Sequence, residues 1–199
     1  MTLQDRADAY AAAFPQFAAS HLHVVSEAGG PCLYGTWLLG NDYRVKSRYY
    51  GGYPKGYLER VMALFPGIQG PASVLHAFSG ALPAGNYSRC DCAQEAELQC
   101  RVEELPQSES FRKFGPWCLV FADPPYSQAD AEKYGTPMVD RRAATAALAA
   151  VTMRGGFLVW LDTTWPMFRK TEWRTVGRIC LIRSTNHRVR LVSIFERQA

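Results

Sequence analysis

The feature that most constrains this chain is an apolar run, Trp117-Cys118-Leu119-Val120-Phe121-Ala122, halted by Asp123-Pro124-Pro125-Tyr126. The run has the length and β-rich composition of a buried strand. Two consecutive prolines each lack an N–H and fix φ, so they cannot continue a strand. The chain must therefore leave the sheet at Asp123. It leaves behind a carboxylate, two proline carbonyls in a stiff turn, and an aromatic ring. In an open α/β sheet the carboxyl ends of the strands are where ligands bind.

That set of groups suits one kind of chemistry. The exocyclic amine of a nucleobase is conjugated with its ring and is a poor nucleophile. An acceptor pair, the Asp123 carboxylate and the Pro124 carbonyl, can bind both N–H groups and favour a pyramidal nitrogen with a free lone pair. Tyr126 can stack on a base drawn out of a strand or duplex. The plainer alternative is a Pro-rich turn carrying a surface tyrosine. The tetrapeptide resembles motif IV of the S-adenosylmethionine-dependent amino-methyltransferases, which modify adenine N6, cytosine N4 or guanine N2. The resemblance implies catalytic roles for Asp123, Pro124, Pro125 and Tyr126.

A chain of 199 residues is enough for one domain with a sizeable core. No apolar run approaches the roughly 18 residues of a membrane span, and no signal peptide precedes Gln4-Asp5-Arg6. The six cysteines lack disulfide-framework spacing, so a reducing cytoplasm is expected. Net charge is +4 but uneven. Residues 1–126 carry 10 basic and 12 acidic side chains, and residues 127–199 carry 12 and 6. The basic excess lies downstream of the D-P-P-Y turn, which suits a polyanionic partner or simply a solvated surface.

Residues 5–19 read as an Ala-rich helix with Phe14 and Phe17 on one face, and Gly29-Gly30-Pro31 as a turn. His21, His23 and Cys32 lack the second ligand pair of a zinc site, so no metal is expected. Arg48-Tyr49-Tyr50-Gly51-Gly52-Tyr53-Pro54-Lys55, followed by a helix over 56–65, is similar to motif X of the adenine methyltransferases. Ala72 to Gly80 reads as a strand running into a glycine turn and resembles motif I, with His76 where the family usually has Asp. The next strand, about 87–90, ends at Asp91, placed to bind ribose hydroxyls. Only about ten residues separate Gly80 from Asp91, where the nucleotide-binding fingerprint expects about 20. The crossover must be reduced to a turn. A third short strand, 98–102, ends at Glu103-Glu104. The resemblance thus implies cofactor contacts at Tyr50, Gly51, His76, Phe78, Ser79, Gly80, Asp91, Glu103, Glu104 and Asp123.

After a short helix at 107–114 and the D-P-P-Y strand, Ser127 to Met138 reads as a loop or short helix over the site, with Tyr134-Gly135-Thr136 as a lid. Asp140 to Met153 reads as a helix ended by Gly155-Gly156, and 157–162 as a buried strand. Residues 175–183 and 189–197 form a terminal antiparallel hairpin, with Arg188, Arg190 and Arg197 alternating on one wet face. Candidate nucleic-acid contacts are Lys55, Tyr134, Trp165, Arg169, Lys170, Asn186, His187 and Arg188.

The resemblance covers about residues 48–197 and is specific only at motif IV. It implies an α/β, Rossmann-like methyltransferase fold, mostly parallel with a C-terminal antiparallel hairpin. Residues 1–199 form one domain, with 1–47 as an extension packed on it. The activity implied is methyl transfer from S-adenosyl-L-methionine to an exocyclic amine, foremost adenine N6 in DNA. No segment has the length of a target-recognition domain, which implies short sequence specificity, a partner subunit or an RNA target. Two alternatives stay open: an RNA amino-methyltransferase, and a nucleic-acid-binding module that has lost cofactor binding.

Overall fold

The computed structural model of the protein describes residues 1–40, 52–184 and 187–198. Its strands are β1 (His23–Glu27), β2 (Gly30–Leu39), β3 (Val74–Ala77), β4 (Ser88–Cys90), β5 (Trp117–Ala122), β6 (Thr152–Asp162), β7 (Trp173–Arg183) and β8 (Val189–Arg197). They form one eight-stranded sheet in the order β1-β2-β7-β8-β6-β5-β3-β4. The β3·β4, β3·β5, β5·β6 and β2·β7 pairs are parallel. Only β1 and β8 run against the other strands. This is a Rossmann-like α/β sheet, mostly parallel, with the expected antiparallel hairpin of β7 and β8 at its C-terminus.

Both faces of the sheet are covered. On one, helices α1 (Leu3–Ala13) and α2 (Tyr57–Ala63) pack with Trp37, Phe65, Phe121, Val159 and Ile194. On the other, α5 (Arg141–Val151) packs with Trp117, Trp160, Trp173 and Phe195. Two short helices, α3 (Glu109–Phe114) and α4 (Gln128–Tyr134), flank the D-P-P-Y strand. The near-continuous apolar sequences of β5 and β6 follow from burial on both faces.

Several boundaries differ from the sequence reading, each for a local reason. The first helix stops at Ala13 because Pro15 breaks it, and Pro15–Ser20 winds as a 3₁₀ segment. The segment 21–39 makes a hairpin, β1 with β2, that adds two strands beyond β7. Helix α5 ends at Val151, ahead of the two glycines. Thr152 takes extended backbone angles, its hydroxyl donates to the Leu148 carbonyl, and β6 begins there. The third strand is reduced to a single parallel bridge, Leu98 with Cys90, and residues 102–107 wind into a 3₁₀ turn. Arg188 and Arg190 do not share a face with Arg197. Strand parity separates them, and Arg197 is engaged by the carbonyls of Ala149 and Glu172.

The reduced crossover is present as expected. No helix connects β3 to β4. The backbone instead folds back on itself, Ser79 N–H donating to Cys90 O at 3.0 Å and Leu82 N–H to Ser79 O at 3.1 Å.

Candidate active site

Strand β5 ends at Ala122, and the next four residues turn out of the sheet at its carboxyl edge, as the double proline requires. Asp123, Pro124, Pro125 and Tyr126 line a cavity of about 840 Å³. That volume is near the upper end for small-molecule sites. Tyr126 Oη donates to Asp123 Oδ1 at 2.5 Å. Burial pushes the Asp123 carboxyl up to about 6. The Arg190 guanidinium and the Tyr126 hydrogen bond oppose that rise, and Asp162 adds to it. The tyrosines around it, Tyr53, Tyr57 and Tyr126, are all held well above their usual range, first by burial and then by the Asp123 charge.

The turn after β3 lies beside the D-P-P-Y turn, since Ala77 pairs with Ala122 at the carboxyl ends of the two parallel strands. Phe78, Ser79, Gly80, Asp91 and Glu103 all line the cavity. Phe78 sits in the left-handed region with φ 56°, a conformation that a bulky residue adopts only when the fold over-determines it. Gly80 shares that region at φ 54°, and there the missing Cβ makes it cheap. Asp91 organises the turn: its Oδ2 accepts from Gly80 N–H at 2.8 Å, and its Oδ1 from Ala93 and Gln94 N–H at 2.8 Å each. A carboxylate has about four lone-pair sites, so three are already used holding backbone. Ser79 Oγ is buried with no hydrogen-bond partner among the described residues, and Glu103 Oε1, also without a hydrogen bond, pairs with Arg101 Nη2 at 3.5 Å. Buried polar atoms are normally satisfied, and Ser79, a residue that lines the cavity, is left with an unsatisfied hydroxyl.

The other expected site residues are placed as follows. His76 lies behind the cavity wall rather than in it. It is 3% exposed and stacks on Phe121 at 4.5 Å with 7° between rings. Its Nδ1 is 3.3 Å from Tyr53 Oη. Burial pushes its value down to about 3, so the imidazole is neutral. Glu104 faces solvent and accepts from Arg101 N–H at 3.1 Å, capping the 3₁₀ turn. Tyr50, Gly51 and Asn186 lie outside the described residues. Lys55, Tyr134 and Arg188 line the cavity, and His187 precedes Arg188 with φ 51°. Trp165, Arg169 and Lys170 lie on the loop after β6, apart from the cavity. Trp165 is under the Arg178 guanidinium at 5.7 Å, Arg169 pairs with Glu172 at 3.3 Å, and the loop is tied to α5 by Thr145 Oγ1 donating to Met167 O at 2.8 Å.

Two groups at the site were not foreseen from sequence. Arg190, on β8, lies over the Tyr126 ring with its guanidinium carbon 4.8 Å from the centroid. Arg141, the first residue of α5, grips the fully buried Asp162 through Nε at 2.7 Å and Nη2 at 3.2 Å. The same Nη2 donates to Tyr126 O at 3.2 Å, and Trp160 Nε1 donates to Asp162 Oδ2 at 3.1 Å. One signal for this clamp is present in the sequence. Asp162 ends a buried strand, as Asp123 does.

No protein-family model and no curated protein matches the chain. Among solved structures it is similar to the methyltransferase MycE of the mycinamycin biosynthetic pathway, in complex with Mg and SAH. Identity is 18%, over 64% of this chain and 27% of that one, with a TM-score of 0.29. The chain thus spans about a quarter of that protein's length. A likeness this distant carries no argument about activity, so the functional reading rests on the site itself.

Proposed function

We propose that this chain is an S-adenosyl-L-methionine-dependent methyltransferase that modifies an exocyclic amino group of a nucleobase, foremost adenine N6 in DNA, with short sequence specificity. The observation that carries the reading is the shared cavity. It brings the Asp123–Tyr126 pair together with the Ser79–Gly80 turn, Asp91 and Glu103. The unsatisfied Ser79 hydroxyl and the Glu103 carboxylate, both on residues that line the cavity, suit ribose hydroxyls and an adenine amine, so the residues present fit the cofactor. When bound, the cofactor supplies an electrophilic sulfonium methyl.

The chain's own residues do the rest. The Asp123 carboxylate and Pro124 carbonyl accept the two N–H groups of the target amine and aim its lone pair along the line of transfer. Orientation of this kind supplies much of the rate in a two-substrate displacement. Tyr126 stacks on the base. In the structure its hydroxyl occupies Asp123 Oδ1, so an entering amine takes over an acceptor that Tyr126 already uses. The methylated nitrogen is acidic and releases its proton afterwards, and no strong base is required.

Titration calorimetry with S-adenosylmethionine, followed by digestion and mass spectrometry of DNA and RNA incubated with both, tests the reading. Cofactor binding with N6-methyladenine in DNA supports it. The same product in RNA alone moves the substrate to RNA. Failure to bind the cofactor with nucleic acid present would sink it. Asp123→Ala should abolish turnover while cofactor and nucleic acid still bind.

A further inference from the structure

Arg190 belongs to neither the D-P-P-Y turn nor the Ser79–Gly80 turn. It enters from β8, the strand that runs against its neighbours. Register places it opposite Leu181 of β7, one residue before the partner of Asp162 at the carboxyl end of β6. Strand parity puts its side chain on the face of Val192 and Ile194, the face that α2 covers. There it lines the cavity and lies against Tyr126 at 4.8 Å. Tyr126 in turn holds Asp123 at 2.5 Å.

We infer that Arg190 is a positioning residue of this site, seating the Tyr126 ring and, through it, the Tyr126–Asp123 hydrogen bond. This rests on the methyltransferase reading only for its kinetic consequence. The ring and the carboxylate are both needed, one to stack and one to accept N–H groups, and a single guanidinium addresses both. A planar cation over an aromatic face holds that ring without blocking its other face. Arg190 and Asp123 line the same cavity, and the guanidinium charge favours the ionised form of Asp123, against the effect of burial. The groups facing Asp123 are Tyr126 from its own turn, Arg190 from β8, Asp162 from β6, Tyr53 from the segment before α2 and Tyr57 from α2 itself. Among these described groups Arg190 is the cation. Arg183 and Arg188 line the same cavity from the hairpin and are left intact as controls.

The test compares wild type with Arg190→Gln and Arg190→Lys. The Asp123 carboxyl is titrated by carbon NMR of selectively labelled protein, and the pH dependence of kcat is measured alongside. Wild type should titrate near 6. Arg190→Gln should move that midpoint up by about one pH unit, the low end for an opposite charge at this range, and the acid limb of kcat should move with it. Arg190→Lys should keep the midpoint, since the charge remains, but raise KM for nucleic acid because an ammonium does not lie flat on the ring. Cofactor affinity should be unchanged in both. A purely structural role would lower kcat equally at every pH and leave the carboxyl midpoint in place, and that result would overturn the inference. If wild type methylates no base, the functional reading fails instead, while the carboxyl titration still decides the role of Arg190.

Discussion

At the scale of single residues, the fold opposes the charge of two groups, Asp123 in the cavity and His76 behind its wall. Asp123 has its folded value raised from 3.8 to about 6. Its contribution to stability is therefore complete below about pH 4 and is lost as pH rises through about 6. At neutral pH the ionised carboxylate costs about 1–3 kcal/mol. Asp123→Asn should raise the melting temperature by a few degrees at pH 8, and not at pH 4, while abolishing turnover. A variant that melts lower at pH 8 would contradict this. His76 works in the opposite sense, with its value depressed from 6.5 to about 3. Its contribution is complete above pH 6.5 and is lost as pH falls toward 3. His76→Phe keeps the ring stack on Phe121 and removes the titration, so stability should depend less on pH between 6.5 and 4. Urea midpoints across that range would show it, and an unchanged slope would assign acid sensitivity elsewhere. The resemblance to motif I suggested His76 as a cofactor residue because it stands where that family usually has Asp. Packing against Phe121, Tyr53 and Tyr87 turned it instead into a wall for the tyrosines.

At the scale of elements, Arg141 joins three pieces of the site. It is the first residue of α5, seated by the Asp140 side chain that caps the helix, and it ties the Tyr126 carbonyl to Asp162 at the end of β6. A buried pair is poor evidence for net stability, but removing one partner strands the other. Arg141→Ala leaves Asp162 unpaired and should cost about 3–5 kcal/mol. Arg141→Lys keeps the charge and loses the fork, so it should fold, bind cofactor normally and turn over more slowly as the D-P-P-Y turn loosens. Equal kcat for the lysine variant and wild type would remove the clamp from the catalytic argument. The helix was legible in sequence from Asp140 on, though Asp140 proves to be its N-cap rather than its first residue. The partner of Arg141 was not, because Asp162 lies 21 residues away and meets it only once β6 is laid beside β5. The third strand misled for a related reason: residues 98–102 have strand composition, but a single bridge at Leu98 leaves the edge unpaired.

For the whole molecule, periodicity and punctuation were enough to find β5, β6, α5 and the terminal hairpin, because each is a long apolar run with a clear stop. They did not reveal the N-terminal hairpin. Residues 23–39 carry glycines, a proline and polar positions that read as loop, and their pairing with β7 depends on contacts about 140 residues apart. Yet β2 pairs with β7 in parallel from Leu33 to Leu39 and brings fully buried Trp37 under α1. There Tyr10 stacks on Trp37 at 5.6 Å, and Arg60 donates to Tyr10 Oη at 2.5 Å. The N-terminal segment is thus a structural part of the sheet rather than a cover laid over it. Without it, β7 would become a long edge strand, and the face holding Ile179 and Leu181 would be bared. A chain beginning at residue 40 should therefore aggregate or melt without a cooperative transition, even though it retains every group of the candidate site. Trp37→Ala in the full chain should cost about 3–5 kcal/mol and leave cofactor affinity unchanged below the melting temperature, since Trp37 does not line the cavity. Calorimetric melting of both variants separates the cases. A cooperative melt of the shortened chain at the wild-type temperature would mean that the six remaining strands suffice.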